Sequence, residues 1–235
     1  MTGKIWGMGI GPGDPELITL KAYNRLREAD VVAYPAPEVG DSLVRSIVAD
    51  HLPIGIKEYA IRMPLVEARF PAQQIYDKAA LDIEEMVQQG KNVAVLCEGD
   101  PFFYGSFMYL FGRLSESCPM EVIPGVSSLT ASAAMLRSPL AARNDVLTVL
   151  PGPLDEDALR SGIEKSDAVA IIKVGRHFEK IHRVLSDLDL LDCARYVERA
   201  TMENQRILPI NDLEDNKAPY FSIILVHKRG EAWTV

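Results

Sequence analysis

The sequence predicts an α/β protein made of two consecutive units, and three observations carry that prediction. Short apolar runs such as Val93-Ala94-Val95-Leu96 and Ala168–Val174 have the length of buried strands, and each precedes a helical pattern. Glycine and proline corners follow the runs, as at Gly99-Asp100-Pro101 and Pro124-Gly125. The pattern changes character after about residue 118, and the chain finishes in β segments with little between them, which suggests antiparallel pairing there. The division is set at 119/120, giving an N-terminal domain of residues 1–119 and a C-terminal domain of residues 120–235.

Composition bounds the function classes. The chain has 235 residues, 48 % of them hydrophobic and 25 % charged, enough to bury a full core in one large or two modest domains. No apolar run approaches the ~20 residues that span a bilayer. The N-terminus lacks the basic, apolar and small-residue succession of a secretory signal. The 3 cysteines (Cys97, Cys118, Cys193) are odd in number and lack metal-ligand spacing. The 4 histidines are scattered, and His177 and His182 are not spaced to share a helical face. A reduced, cytoplasmic, metal-free protein is expected. The net charge of −8 argues against a nonspecific nucleic-acid binder, while leaving room for a small anion held by local arginines.

Ile5–Gly9 reads as a buried strand entering Gly9-Ile10-Gly11-Pro12-Gly13-Asp14-Pro15. A dinucleotide fingerprint needs a third glycine where Asp14 or Pro12 stands, and no Walker lysine follows. Asp14 is instead an N-cap with Pro15 at the first helical position, and Leu17, Leu20, Ala22 and Leu26 extend one apolar stripe to about Glu28. The loop is either a connector packed under this helix or a ligand loop. Val31–Tyr34 is the second strand, stopped by Pro35-Ala36-Pro37, and Ser42 caps a helix carrying Leu43, Ile47 and Val48. Ile56–Ile61 is a third strand and residues 64–70 a loop. Pro71 then opens a long helix that Gly90 closes in the left-handed position.

The strand from Val93 runs into Cys97-Glu98-Gly99-Asp100-Pro101-Phe102-Phe103-Tyr104-Gly105, followed by a helix with Phe107, Met108, Leu110, Phe111 and Leu114. This corner lies at the carboxyl end of an expected parallel strand, where open α/β sheets bind ligands. Met120–Ile123 is the fifth strand. It ends at Pro124-Gly125-Val126-Ser127-Ser128, where either serine can cap an alanine-rich helix or meet a ligand. Beyond it come a strand at Val146–Leu150, a helix at Leu154–Lys165 and a strand at Ala168–Val174. Gly175-Arg176-His177 opens the next helix, and strands follow at Ala194–Ala200, Gln205–Ile210 and Tyr220–His227.

Four of these stretches together resemble the tetrapyrrole methylases. They are Gly9-x-Gly11-Pro12-Gly13-Asp14-Pro15 with Leu17-Ile18-Thr19-Leu20-Lys21-Ala22, Glu98-Gly99-Asp100-Pro101, Pro124-Gly125-Val126-Ser127-Ser128, and Glu198-Arg199-Ala200-Thr201 with Gln205. Within that family, the run from Cys97 to Phe107 looks most like the precorrin-2 C20-methyltransferases. The resemblance implies two αβα domains, a homodimer, and S-adenosylmethionine folded in a cleft between the domains. Carried over by position, it implies cofactor contacts at Pro12, Glu98, Gly99, Asp100, Phe103, Ser127 and Ser128, with Val174 and Ala200 flanking the adenine. Relatives that act on uroporphyrinogen have a glycine at the Glu98 position, a methionine at Val174 and a glycine at Ala200.

The implied activity is methyl transfer to C20 of precorrin-2, giving precorrin-3A in cobalamin biosynthesis. It requires the donor sulfur, the methyl group and the acceptor carbon in line, with the reacting atoms ~3–3.5 Å apart, and no metal. A proton must later leave C20. Asp100 is the obvious carboxylate for that step, although a cap or a cofactor contact explains it equally. Tyr104, set one turn into the helix, either joins the core or faces the macrocycle. The substrate's many carboxylates call for arginines, and Arg62, Arg69, Arg143 and Arg176 lie beside expected loops. The alternatives are a cobalt-precorrin-2 C20-methyltransferase, a relative that methylates RNA or protein, and a nonenzymatic ligand-binding relative.

Overall fold

A computed structural model describes residues 2–63, 69–213 and 218–229, without the side chains of 69–72. The chain divides into two compact units, Met1–Ser127 and Ser128–Val235.

The first unit runs β1 (Ile5–Gly9), α1 (Leu20–Glu28), β2 (Val31–Pro37), α2 (Leu43–Ile47), β3 (Lys57–Met63), α3 (Arg69–Gln88), β4 (Val93–Cys97), α4 (Phe107–Leu114) and β5 (Met120–Ile123). Its five strands are all parallel, in the order β3-β2-β4-β1-β5. Both faces of its central strands are covered, which is why β1, β4 and the start of β2 read as buried apolar runs, while the edge strands β3 and β5 carry charged residues. Alternation along each strand nonetheless divides two cores. Ile5, Val31, Val93 and Val95 pack with Ile83 of α3 and with Phe107 and Leu110 of α4. Trp6, Met8, Val32 and Leu96 pack with Leu26 of α1 and Val44 of α2. Gly7 faces the first of these cores because a side chain there would enter the Phe107 ring, whose nearest atom lies 2.2 Å from the Cβ position.

The second unit runs α5 (Ser128–Leu136), β6 (Leu147–Pro151), α6 (Glu156–Glu164), β7 (Ala168–Ile172), α7 (Phe178–Asp187), β8 (Ala194–Glu198), β9 (Arg206–Leu208) and β10 (Ser222–His227). The strand order is β6-β7-β10-β8-β9. The expected antiparallel pairing is present, with the last strand inserted between β7 and β8 and antiparallel to both. Leu159, Ile163, Phe178 and Ile181 of α6 and α7 cover one face, and α5 packs on β8 and β10.

Several expectations change in three dimensions. β5 hydrogen-bonds to β1 in parallel register, so the boundary at 119/120 detaches an edge strand from its own sheet; the units meet at 127/128. The single stripe from Pro15 to Glu28 is two pieces. Asp14 caps a 3-10 turn over Pro15–Leu17, and Ile18 is extended. Thr19 caps α1 anew, its Oγ1 accepting from the Ala22 amide at 3.2 Å, which leaves Leu20 exposed rather than in the core. β2 runs through Pro35 and Pro37 because β4 pairs only with Val31–Ala33, so no ladder is interrupted on that side. α3 already includes Arg69 and Phe70, which places Pro71 within its first turn; residues 64–68 of the expected loop lie outside the described residues. β8 stops at Glu198, and Ile210 belongs to a 3-10 turn.

Among the described residues, no helix is long and apolar enough to cross a membrane. No group of three or more His, Cys, Asp or Glu among them is placed to hold a metal ion.

A polar tie joins α2 to β3. Arg45 Nη2 donates to Glu58 Oε1 at 2.9 Å, and the Tyr34 hydroxyl donates to Glu58 Oε2 at 2.5 Å. Hydrogen bonds from Arg45 and then Tyr34 hold the Glu58 carboxyl below its ordinary 4.5. A carboxyl depressed by folding stabilises fully above its unfolded pKa, and the contribution is lost as pH falls through the folded value. Arg45→Met is therefore expected to melt lower than wild type at pH 7 by less than ~1 kcal/mol, as for other part-exposed pairs. Thermal melts should show that gap closing as pH falls below 4.5 and through the depressed folded value; a gap independent of pH would refute the assignment.

Candidate functional site

β1 and β4 are neighbours in register, Gly9 opposite Cys97. From β1 the chain leaves through α1 towards β2, on the Trp6 and Met8 face; from β4 it leaves through α4 to β5, on the Val95 face. Neighbouring strands whose exits diverge to opposite sides make a topological switch point, where a parallel sheet opens a crevice at its carboxyl edge.

The two exits are tied at that point. Ile10 N donates to Cys97 O at 3.1 Å, Gly99 N to Gly11 O at 2.8 Å, and Gly11 N to Gly99 O at 3.4 Å. The left-handed φ of Gly11 (86°) and Gly99 (64°) lets both corners turn there. The exit of β5 joins them through backbone contact. A Cβ on Gly9 would lie 2.5 Å from Gly99 O and 2.6 Å from Gly125 Cα, and one on Gly125 would lie 2.1 Å from Gly99 O. Three loops distant in sequence thus meet at main-chain distance.

Asp100 pins the cluster. Its Oδ1 accepts from the Phe102 and Phe103 amides at 2.9 and 3.1 Å, and its Oδ2 accepts from the Gly125 amide at 3.1 Å. Both oxygens therefore hold main chain, the geometry of a capping strut between two junctions. Its neighbour Glu98 is half-buried, and desolvation raises that carboxyl above its ordinary value.

Tyr104 differs from expectation. α4 begins only at Phe107, so Tyr104 stands in the preceding turn with φ 56° and 43 % exposed, neither helical nor in the core. Gly105 explains the delay. A side chain there would strike the carbonyls of Asp100 and Pro101 at 2.5 Å, so the corner must close fully before a helix can start. The Phe103 and Tyr104 rings meet edge to face at 5.2 Å.

Pro12 is buried beside this cluster's first loop, while Ser127 and Ser128 are half-buried where β5 leads into α5. In the second unit, Val174 follows β7 and is fully buried in the core, side chain and main chain alike. Ala200 follows β8 and is 8 % exposed, between Arg199 (φ 47°) and Thr201 (φ 71°).

The four arginines stand on separate segments. Arg62 at the end of β3 donates through Nη1 to the carbonyls of Pro37 and Gly40, fastening the loop after β2. Arg143 is exposed in the segment before β6, and Arg176 is exposed in the 3-10 turn before α7. Arg69 opens α3, and its side chain is outside the description. Sequence reasoning missed Gly9 and Gly125 as contact residues, because their partners, Gly99 and each other, sit on the exits of other strands and no local signal names them.

The pattern of the family described as Tetrapyrrole (Corrin/Porphyrin) Methylases matches residues 4–215. The chain belongs to the tetrapyrrole methylases. The glycine and proline corners that resembled this family are thus the loops that the fold collects at strand ends. Among tetrapyrrole methylases, the chain is 39 % identical over 232 residues to a precorrin-2 C(20)-methyltransferase of Sinorhizobium sp, covering 95 % of each. It is equally identical, at 39 % over 232 residues, to the cobalamin biosynthesis protein CobIJ of Mycobacterium tuberculosis, but spans only 46 % of that longer protein. The cobalt-precorrin-2 C(20)-methyltransferase of Salmonella typhimurium is 31 % identical over 98 % of this chain. The solved uroporphyrin-III C-methyl transferase of Thermus thermophilus, complexed with S-adenyl homocysteine, matches with TM-score 0.70 and 25 % identity, covering 96 % of this chain and 92 % of that one.

Proposed function

We propose that this tetrapyrrole methylase transfers a methyl group from S-adenosylmethionine to C20 of precorrin-2, giving precorrin-3A in cobalamin biosynthesis. The observation that carries this reading is the 39 % identity with the Sinorhizobium C(20)-methyltransferase along 95 % of both chains.

The first unit's corners fit such a cofactor. Gly11, Gly13, Gly99 and Gly125 present no side chains, which leaves room for a ligand to lie close against the main chain of these corners. Pro12, Glu98, Gly99, Asp100 and Phe103 would hold the methionine and ribose part, with Ser127 and Ser128 adding hydroxyl and amide groups. Val174 and the turn at Ala200 would flank the adenine. When bound, S-adenosylmethionine supplies an activated methyl group on a positively charged sulfur. The chain's own work is then to fix that group's direction and keep water out, for which rigid glycine-packed corners are suited. Asp100 would act through the main chain it holds. Arg62, Arg69, Arg143 and Arg176 remain the proposed partners of the substrate carboxylates. The same reading carries a cytoplasmic homodimer whose substrate is a free tetrapyrrole.

The similarity to the Salmonella enzyme favours a second reading, in which the substrate is cobalt-precorrin-2. Incubation with methyl-labelled S-adenosylmethionine and each tetrapyrrole, read by carbon NMR, separates the two. Label at C20 of precorrin-2, with slower turnover of the cobalt form, is expected. Cofactor binding without transfer to either would leave a nonenzymatic ligand-binding protein and refute the proposal.

A further inference from the structure

Residues 199–205 leave β8 in a shape that ordinary side chains avoid. Arg199 and Thr201, with φ of 47° and 71°, stand in the left-handed region on either side of Ala200. That region is uncommon for any residue but glycine and a marked outlier for a β-branched one such as Thr201. A turn of this kind persists only when its surroundings over-determine it, and such turns cluster at ligand sites.

The contacts that hold the entrance are strong. Arg199 N donates to Phe221 O at 2.7 Å. Just before it Glu198, 3 % exposed, accepts from the Tyr196 hydroxyl at 2.9 Å, and the same hydroxyl lies 3.1 Å from Ser222 Oγ. The other Glu198 oxygen faces the Arg199 and Arg206 guanidiniums at 3.5 and 3.7 Å. This buried carboxylate fixes where the strand ends.

The exit is held differently. Met202 N donates to Arg199 O and Gln205 N to Met202 O, both at 3.0 Å, which folds the loop back. The side-chain carbonyl of Gln205 then reaches across the loop and accepts from the Thr201 amide at 2.7 Å. That bond lands on the residue whose backbone is most unfavourable, and it comes from a side chain that substitution can remove without disturbing the sheet.

We infer that Gln205 is a positioning residue: by holding the Thr201 amide it locks the Arg199–Ala200–Thr201 turn in the shape that receives the purine end of S-adenosylmethionine. The inference rests on the cofactor role proposed above for Ala200. Without the lock, Thr201 relaxes to negative φ in the free protein, and binding must restore the turn. Affinity then falls by the fraction of molecules still in the competent shape, while the bound state, and so turnover at saturation, is preserved.

The test is calorimetry of S-adenosylhomocysteine binding together with steady-state kinetics. Gln205→Ala should raise Kd and the cofactor KM roughly tenfold, with kcat changed by little. Gln205→Glu, which keeps an acceptor oxygen at the same reach, should restore most of the affinity. Deuterium exchange at the Thr201 amide should accelerate in Gln205→Ala and not in Gln205→Glu. If Gln205→Ala fails to fold, Gln205→Met, which fills the volume without an acceptor, takes its place. A purely structural role would lower the melting temperature of both Ala and Met variants and leave Kd unmoved. Wild-type protein that binds with an unaltered Gln205→Ala overturns the inference alone, as does loss of kcat at unchanged Kd. Wild-type protein that takes up no S-adenosylhomocysteine overturns the cofactor reading and the inference with it.

Discussion

Gly125→Ala is expected to destabilise the first unit by about 3 kcal/mol and to abolish cofactor binding, because the added methyl meets main chain on two sides. Its Cβ would lie 2.1 Å from the Gly99 carbonyl oxygen and 2.7 Å from Gly9 Cα and C. A flexible side chain can swing away from such a contact, but a paired strand end cannot. Relief would require the exits of β4 and β5 to separate, breaking the Gly125–Asp100 bond and disturbing the pairing of Gly11 with Gly99. For a chain of this length the loss corresponds to a fall in melting temperature of ~6–12 °C. Gly112, inside α4, is the control. Nothing lies within 4 Å of its Cβ position, so Gly112→Ala should instead stabilise by ~0.5–1 kcal/mol through helix propensity. Scanning calorimetry of the two variants decides the point, and a Gly125→Ala protein that melts with wild type would refute the glycine contact.

Asp100→Ala should weaken S-adenosylhomocysteine binding by ~100-fold while leaving most of the fold intact. The substitution strips the acceptor from the amides of Phe102, Phe103 and Gly125. Each is a hydrogen bond to a carboxylate, of the kind worth roughly 1.5–3 kcal/mol. Losing them frees the corner after β4 and unhooks it from the corner after β5. Asp100→Asn makes the mechanism legible. Its carbonyl can still accept from Phe102 and Phe103, but its NH2 group then confronts the Gly125 amide, donor against donor. An intermediate loss of ~10-fold is expected. A residue acting instead as the proton acceptor for C20 would lose turnover in the Asn variant and keep its cofactor affinity. Binding isotherms beside single-turnover rates separate these outcomes, and wild-type affinity in Asp100→Ala would remove the strut from the account.

The legibility of the fold varied along the chain for identifiable reasons. Strands buried on both faces announce themselves as unbroken apolar runs, so β4 and β7 were readable almost to their ends. Caps with a side-chain oxygen were equally readable: Ser42 accepts from the Arg45 amide at 3.3 Å, and Gly90 closes α3 with φ 84°. Local patterning failed where a choice depended on a distant partner. Pro35 and Pro37 look like a strand stop until the short pairing of β2 with β4 is known. Tyr104 looks helical until the close approach of Gly105 to the Asp100 and Pro101 carbonyls is known.

The sequence by itself determined the α/β class, the order of most elements and the four stretches that mark the family, since these depend on apolar periodicity, capping chemistry and short motifs within a few residues. Tertiary structure alone decided that β5 completes the first sheet, that Gly9, Gly99 and Gly125 touch through their backbones, that Asp100 spends both oxygens on main-chain amides, and that Val174 offers no side chain. These are contacts between segments far apart along the chain, and only the register of β1 with β4 and β5 sets the distances at which a missing Cβ or a carboxylate oxygen becomes decisive.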